Sequence, residues 1–258
     1  MQLPICRTCG VQYGAPRLDC PICLDERQYV GWEGQQWTTL AELRAAGHRG
    51  RLDEEGPGVV GVGAAPSIAV GQRALLIRSP SGNVLWDGVG YLDDELGAQI
   101  EELGGISAIA VSHPHFYGVM TEWGRAFDAP VYVHEADREW VARPDPLIEY
   151  WTGDTHSIAP GMTLINAGTH FAGGTVLHWA DDPEGRGALL STRRFHFALS
   201  RLEGGPTPDV FVWVSRENPD VDAALDALLD ALGIGREALT FVGDIETGFV
   251  DMRGSQGT

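Results

Sequence analysis

From Val59 onward, short apolar runs alternate with turn residues, a pattern typical of β-strands connected by turns and helices. Ser79-Pro80-Ser81-Gly82 is a clear turn between two of these runs. The pattern predicts strands at Ser67–Val70, Arg73–Arg78, Asn83–Asp87, Ile106–Ser112, Pro130–Val133, Met162–Ile165, Thr175–Trp179 and Gly187–Leu190.

Helices are predicted where apolar positions recur every three or four residues, or where a capping residue precedes such a stretch. Asp93-Asp94-Glu95 begins one helix, because acidic residues suit a first helical turn. The other predicted helices are Thr39–Ala46, Tyr117–Phe127, Glu135–Ala142 and Asp220–Leu232. The charged stretch Arg49–Glu55 is predicted to be a linker or an exposed turn. Helices alternating with strands indicate an α/β (α+β) fold.

Composition narrows the range of functions. The 258 residues include 18 basic and 36 acidic side chains, which gives a formal net charge of −18. Such a chain is a poor candidate for binding nucleic acid or an anionic membrane through a broad basic surface. No apolar run approaches the roughly 18 residues of a membrane span, and the N-terminus lacks the apolar segment of a signal peptide. We therefore expect a cytoplasmic protein with neither nucleic acid nor membrane as a partner.

All four cysteines lie in two C-x2-C pairs near the N-terminus, Cys6 with Cys9 and Cys20 with Cys23. Two such pairs can surround one tetrahedral metal ion, whereas two disulfides would fit a reducing cytosol poorly. The pairs also resemble the iron knuckles of rubredoxin, but the short loop between them favours zinc. A closed four-cysteine site leaves no position for substrate, so its predicted role is structural. We assign residues 1–30 to this zinc ribbon and residues 31–258 to the main domain.

The histidines are the candidates for chemistry. His113-Pro114-His115 directly follows the apolar run Ile106–Ser112, and residues two apart on an extended chain face the same side. His170 lies in a glycine-rich turn between two predicted strands. Together the three histidines would form a metal site with open positions for water and substrate. His134 is predicted to cap a helix or to support a neighbouring site residue, and His178 is predicted to lie in a strand. His48 and His156 are predicted to be at the surface. Trp32 and Trp37 are predicted to pack the ribbon against the main domain.

These motifs resemble the metallo-β-lactamase fold superfamily. The resemblance rests on His113-Pro114-His115 after a buried strand, then VYVHEADREW, then THFAGGTVLHW. More narrowly, the chain is similar to bacterial metallo-hydrolase-like proteins with an N-terminal CxxC…CPxC segment followed by DERQYVGWEGQQWTTLAELR. The resemblance extends from Cys6 to about Leu190. It implies an αββα sandwich and a first metal held by His113, His115 and His170.

The resemblance also implies that the second metal site of the superfamily is lost. The usual Asp and His after the histidine pair are replaced by Tyr117 and Gly118, and the usual bridging Asp is replaced by Arg193. A late histidine ligand is also missing, because no histidine follows Gly243. The expected centre is therefore mononuclear.

The expected function is a metal-dependent hydrolase-like enzyme that acts on a small-molecule ester, lactone, amide or thioester, in specialised metabolism. Zinc or ferrous iron at three histidines could activate water or polarise a carbonyl. Tyr117 would donate a hydrogen bond to a developing oxyanion, and Arg193 would bind a substrate carboxylate. Equally, Tyr117 could fill an emptied metal pocket, and Arg193 could replace the lost cation's charge in a salt bridge.

Two other functions remain open. One is a repurposed, metal-free relative that binds a small molecule or serves as a scaffold. The other is an iron-dependent redox or lyase enzyme. Whether the protein forms a homodimer is also open.

Overall fold

A computed structural model describes residues 2–24, 30, 32–69, 71–168, 171–183 and 187–190. It also describes the strand backbones of residues 197–201, 208–212 and 239–240. The predicted helix Asp220–Leu232 lies outside the described residues.

The described residues form strands, three α-helices and two short 3-10 helices. The strands are β1 Ile5–Cys6, β2 Trp37–Thr38, β3 Arg49–Gly56, β4 Val59–Ala65, β5 Ala74–Ile77, β6 Val84–Trp86, β7 Ala108–Ala110, β8 Val131–His134, β9 Ile148–Trp151, β10 Thr155–Ala159, β11 Met162–Asn166, β12 Thr175–Trp179, β13 Ala188–Leu190, β14 Phe197–Arg201, β15 Pro208–Val212 and β16 Leu239–Thr240. The α-helices are α1 Leu40–Ala45, α2 Asp94–Glu102 and α3 Met120–Phe127. The 3-10 helices are Pro114–Phe116 and Glu135–Trp140.

The strands form two seven-stranded mixed sheets and a small two-stranded sheet of β1 and β2. The first large sheet runs β3-β4-β5-β6-β7-β8-β9, antiparallel up to β6 and parallel from β6 to β9. The second runs from β10 to β16 in order, and only its last pair, β15 with β16, is parallel. Parallel neighbours need crossover connections, and α2 and α3 provide them between β6, β7 and β8.

The two large sheets pack face to face. Trp86 and Ala110 of the first sheet share a buried cluster with Leu177 and Trp179 of the second. The opposite face of the first sheet packs against α2 and α3 through buried side chains such as Trp123. An α layer and two β layers are therefore present, which confirms the expected mixed α/β architecture as far as the described residues extend.

The N-terminal ribbon belongs to the same buried cluster as α2 and α3. Its apolar side chains Ile5, Val11 and Ile22 are buried together with the four cysteines. The ribbon is therefore packed against the first sheet and its helices, and the boundary at residue 30 stays a prediction.

Several strands and the starts of α1 and α2 were predicted, but other features of the first sheet were not: β4 and β9 were not predicted as strands. Arg49–Glu55 is not a linker: it lies in β3, an edge strand paired with β4, where charged side chains face solvent and hide the apolar period. Residues 67–69 are not a strand, because the chain turns there with Ala69 at φ +52°. Tyr117–Phe127 is helical only from Met120, and the helix predicted at Glu135–Ala142 is a 3-10 helix.

Within the described residues, no helix has both the length and the apolar character that crossing a membrane requires.

We expect Asp93→Ala to destabilise the fold by about 1 kcal/mol, because Asp93 is the N-cap of α2 and its carboxylate accepts from the backbone N–H of Leu96 at 2.8 Å. Asp94→Ala is the matched control, since Asp94 is exposed and follows the cap. Urea unfolding of both variants at a fixed metal concentration measures the difference, and equal losses would contradict the capping role.

Candidate functional site

The four cysteines converge as the sequence predicts. One ligand atom from each lies within 4.8 Å of the others, and all four side chains are buried. The Sγ atoms of Cys6 and Cys23 are 3.8 Å apart, and those of Cys9 and Cys20 are 3.7 Å apart. Sulfurs in a tetrahedral zinc site with bonds of about 2.3 Å lie roughly 3.8 Å apart, whereas a disulfide requires about 2.05 Å. The cluster therefore fits a metal ion, and its sulfurs are too far apart for disulfide bonds in this arrangement.

Polar side chains next to the cluster suit thiolates. The Tyr13 hydroxyl lies 3.0 Å from the Sγ of Cys20, and the side-chain N–H of Gln35 donates to the Sγ of Cys6 at 3.2 Å. Hydrogen bonds of this kind stabilise negative charge on metal-binding sulfur. Gly10 follows the first pair at φ +74°, in the left-handed region that favours glycine.

His113 and His115 lie together in the loop that follows β7. Both side chains are buried, and their ring centroids are 5.5 Å apart. Two imidazoles bound to one ion through bonds of about 2.0–2.1 Å have ring centres roughly 5 Å apart, so the spacing suits a shared metal. The two histidines were predicted to share one face of an extended chain. Only His113 is extended, because His115 lies in the 3-10 helix Pro114–Phe116. The Oγ of Ser112 is 3.0 Å from the Nδ1 of His113 and can orient this ring.

Phe171 links the histidine pair to the glycine-rich turn. Its ring lies 5.8 Å from the His113 ring and 5.3 Å from the His115 ring, and Trp140 packs against it at 5.2 Å. The histidines therefore have an aromatic wall. His170, directly before Phe171, lies outside the described residues, as does Arg193.

Asp87, which was not predicted to be a site residue, supports the histidine loop, the segment of residues 112–118 that carries His113 and His115. It follows β6 at φ +68°, is fully buried, and accepts a hydrogen bond from the backbone N–H of Ser112 at 2.8 Å. Burial raises the pKa of Asp87 to about 7. One feature of the sequence indicates this role: Asp87 lies at the end of an apolar run, and the loops that follow strands often carry functional residues.

Tyr117 is buried at the end of the histidine loop. Its hydroxyl donates to the backbone oxygen of Asp137 at 3.5 Å, and burial raises the pKa of Tyr117 well above its usual range. The Asp137 side chain is also buried and accepts from the N–H of Gly173 at 2.7 Å. Burial raises the pKa of Asp137 to about 6. Tyr117 is thus a neutral hydrogen-bond donor, and Asp137 anchors one end of the glycine-rich turn.

Gly118 leaves no space for a side chain. It has φ +51°, and a Cβ there would lie 2.6 Å from the backbone of Val89. A histidine at this position would therefore require the loop to move.

The outcomes differ for the remaining residues whose positions were predicted. The Nδ1 of His134 accepts from the N–H of Ala136 at 3.2 Å, which confirms its capping role. The Trp37 ring lies edge-on to the ring of Tyr13, with centroids 5.2 Å apart, whereas Trp32 is 96% exposed and so buries little surface. His178 lies in β12 as predicted. His48 and His156 are partly exposed, which is compatible with their predicted surface positions.

Stacked mixed sheets, a helical outer layer and a histidine pair after a parallel strand are features that the resemblance to the metallo-β-lactamase fold implies. Among solved structures, the chain is similar to a metallo-β-lactamase of Cronobacter sakazakii with a HARLDQ motif, at 21% identity and a TM-score of 0.39. That match covers 52% of this chain, which spans only 59% of the other structure's length. MEM-A1, a subclass B3 metallo-β-lactamase from a soil metagenome library, matches at 16% identity and a TM-score of 0.45, over 74% of this chain and 78% of that one.

The chain has a higher sequence identity to a bacterial protein than to these solved structures. The uncharacterized protein YmaE of Bacillus subtilis (strain 168) is 48% identical over 191 residues, which cover 72% of this chain and 70% of YmaE. The chain belongs to the same family as YmaE. No protein-family model matches the chain.

We expect Asp87→Asn to remove a pH dependence of stability. The folded protein holds this proton up to about pH 7, whereas unfolded aspartate has a pKa near ~3.9, so unfolding releases a proton between these values. The wild type therefore loses stability as the pH rises through this window. The asparagine oxygen still accepts from Ser112, so the variant should be more stable than the wild type near neutral pH, by up to about 4 kcal/mol, and similar near pH 4.

Urea unfolding across this pH range, with exposed Asp94→Asn as the control, tests this expectation. A constant difference between Asp87→Asn and wild type at all pH values would contradict it.

Proposed function

We propose that the protein is a mononuclear metal-dependent hydrolase-like enzyme whose metal is held by His113, His115 and His170. The observation that carries this proposal is the buried pair of imidazoles with centroids 5.5 Å apart, a spacing suited to one shared ion. The proposed substrates are small molecules with an ester, lactone, amide or thioester carbonyl.

The third ligand is proposed from the position of its neighbour. Phe171 contacts both histidine rings, and His170 directly precedes it in the sequence. Asp137 accepts a hydrogen bond from the backbone N–H of Gly173, which belongs to the same glycine-rich turn as Phe171. Three neutral imidazoles suit zinc, and also ferrous iron, with positions left open.

A bound ion would supply a nucleophile from water near neutral pH and an electrophile for a carbonyl oxygen. Side chains of the protein itself are proposed to orient a metal ligand, stabilise the developing oxyanion and bind the substrate. Ser112 orients His113 through the 3.0 Å contact with Nδ1. Tyr117 is the proposed donor to the developing oxyanion: its present bond to Asp137 is long, at 3.5 Å, so little is lost if the hydroxyl turns away. Arg193 is proposed to pair with a substrate carboxylate.

The four cysteines are proposed to hold structural zinc, since four thiolates fill a tetrahedral shell and leave no position for a substrate. Thiolates must stay reduced to bind metal, and for this reason we also propose a cytoplasmic location.

Elemental analysis tests the metal centre. We expect about two metal ions per wild-type chain and about one in His170→Ala, because the cysteines keep theirs. Hydrolysis of ester and lactone substrates by the variant should fall to the uncatalysed rate. His48→Ala is the control, since the His48 ring contacts the Pro66 carbonyl in a different part of the chain, and it should keep both ions.

One ion in both the wild type and His170→Ala would contradict the proposal and favour a metal-free, ligand-binding relative. Iron in the wild type, with oxygen uptake on addition of substrate, would favour the redox alternative.

We expect Tyr117→Phe to lower kcat about 100-fold with a smaller change in KM, because a donor to an oxyanion acts mainly in the transition state. Tyr91→Phe is the matched control: Tyr91 is also buried, and its hydroxyl donates to the carbonyl of His48. Full activity of Tyr117→Phe with both metals bound would show that Tyr117 only fills space.

A further inference from the structure

The ribbon and the histidine loop meet at Gln72, a buried side chain that neither motif includes. Its amide nitrogen donates to the carbonyl oxygen of Cys9 at 2.5 Å and also to the carbonyl oxygen of His115. A primary amide has two N–H groups, so one side chain can satisfy both carbonyls. One of these carbonyls belongs to a cysteine of the metal cluster and the other to a histidine of the pair.

Direct contacts support this link. The backbone N–H of Gln12 donates to the carbonyl of Gly118 at 3.0 Å, which ties the ribbon to the end of the histidine loop. A Cβ on Gly10 would lie 2.6 Å from the amide oxygen of Gln72, so the turn after the first cysteine pair is shaped around this side chain. The ribbon therefore lies directly against the loop, with no room for a side chain at position 10.

The carbonyl of His115 depends on this contact from outside its own turn. Within this turn, the carbonyls of His113 and Pro114 accept hydrogen bonds from the backbone N–H groups of Phe116 and Tyr117, at 2.9 and 3.2 Å respectively. The His115 carbonyl instead points to Gln72. Because a buried carbonyl without a partner is costly, this bond fixes the peptide that carries the His115 ring.

We propose that Gln72 is a positioning residue through which the metal-loaded cysteine cluster holds His115 in place for metal binding. Metal closes the two cysteine pairs, fixes the Cys9 carbonyl, and so sets the position of the amide that holds His115. The ribbon is in this sense a support for the histidine centre. The inference rests on the proposed function, and it specifies how that site is maintained.

Gln72→Met tests this proposal, because methionine has a similar shape but no N–H donors. The matched control is Gln99→Met, at an exposed glutamine in α2. With cobalt as the probe, thiolate charge-transfer absorption reports the cysteine site separately from the histidine site. We expect Gln72→Met to keep the thiolate absorption and to bind the second ion roughly 10–100-fold more weakly, the usual loss when a supporting partner of a metal ligand is removed. Equal affinity in both variants would overturn the proposal.

A second measurement separates this inference from the proposed function. Zinc, which is diamagnetic and adds no paramagnetic shift or broadening to nearby signals, is titrated into chelator-stripped wild type while the ring-proton NMR signals of the histidines are followed. We expect the signals of His113 and His115 to change with the first equivalent, as the cysteine site fills, while His178 in β12 stays unchanged. This readout does not require binding of a second ion, so the link can hold even if the three-histidine site fails. A change of all three signals together, or no change until the second equivalent, would overturn the link.

Discussion

The burial of the loop from Ser112 to Gly118 constrains the rest of the site. Backbone N–H and C=O groups that are removed from water must find partners, and this loop is too irregular to satisfy them all within itself. Asp87 satisfies the N–H of Ser112, Gln72 the carbonyl of His115, and Gln12 the carbonyl of Gly118. These partners come from three separate segments, so the sheet and the ribbon both contribute contacts that hold the loop.

Local patterns in the sequence were sufficient for the cysteine cluster and for most helix starts. Two C-x2-C pairs determine their own geometry within a few residues, and an N-cap such as Asp93 acts on the N–H groups directly after it. The edge strand β3 was missed because solvent-facing charges removed the apolar alternation on which strand prediction depends. Gln72 could not be found from sequence, because its partners are 63 and 43 residues away and glutamine carries no signal of such a contact.

The histidine pair was predictable as a motif, but its geometry was not. The spacing of His113 and His115 suggested two side chains on one face of an extended chain, whereas the chain enters a 3-10 turn at Pro114. The turn brings the rings together in another way, and its next residues, Tyr117 and Gly118, pack tightly against residues 88–90. The space near Val89 that a larger residue at position 118 would need is filled by backbone.

The charged edge of the first sheet also limits how copies of the protein can associate. An edge strand offers unpaired backbone groups to any extended chain, including a second copy of itself. In β3, the Arg51 and Asp53 side chains form an ion pair at 2.7 Å, and Glu55 pairs with Arg73 of the loop before β5. A second strand pairing along this edge would have to approach and desolvate these charges. Continuous sheet extension and the aggregation that follows from it are therefore disfavoured at β3, and an ordered dimer would have to form through a different surface.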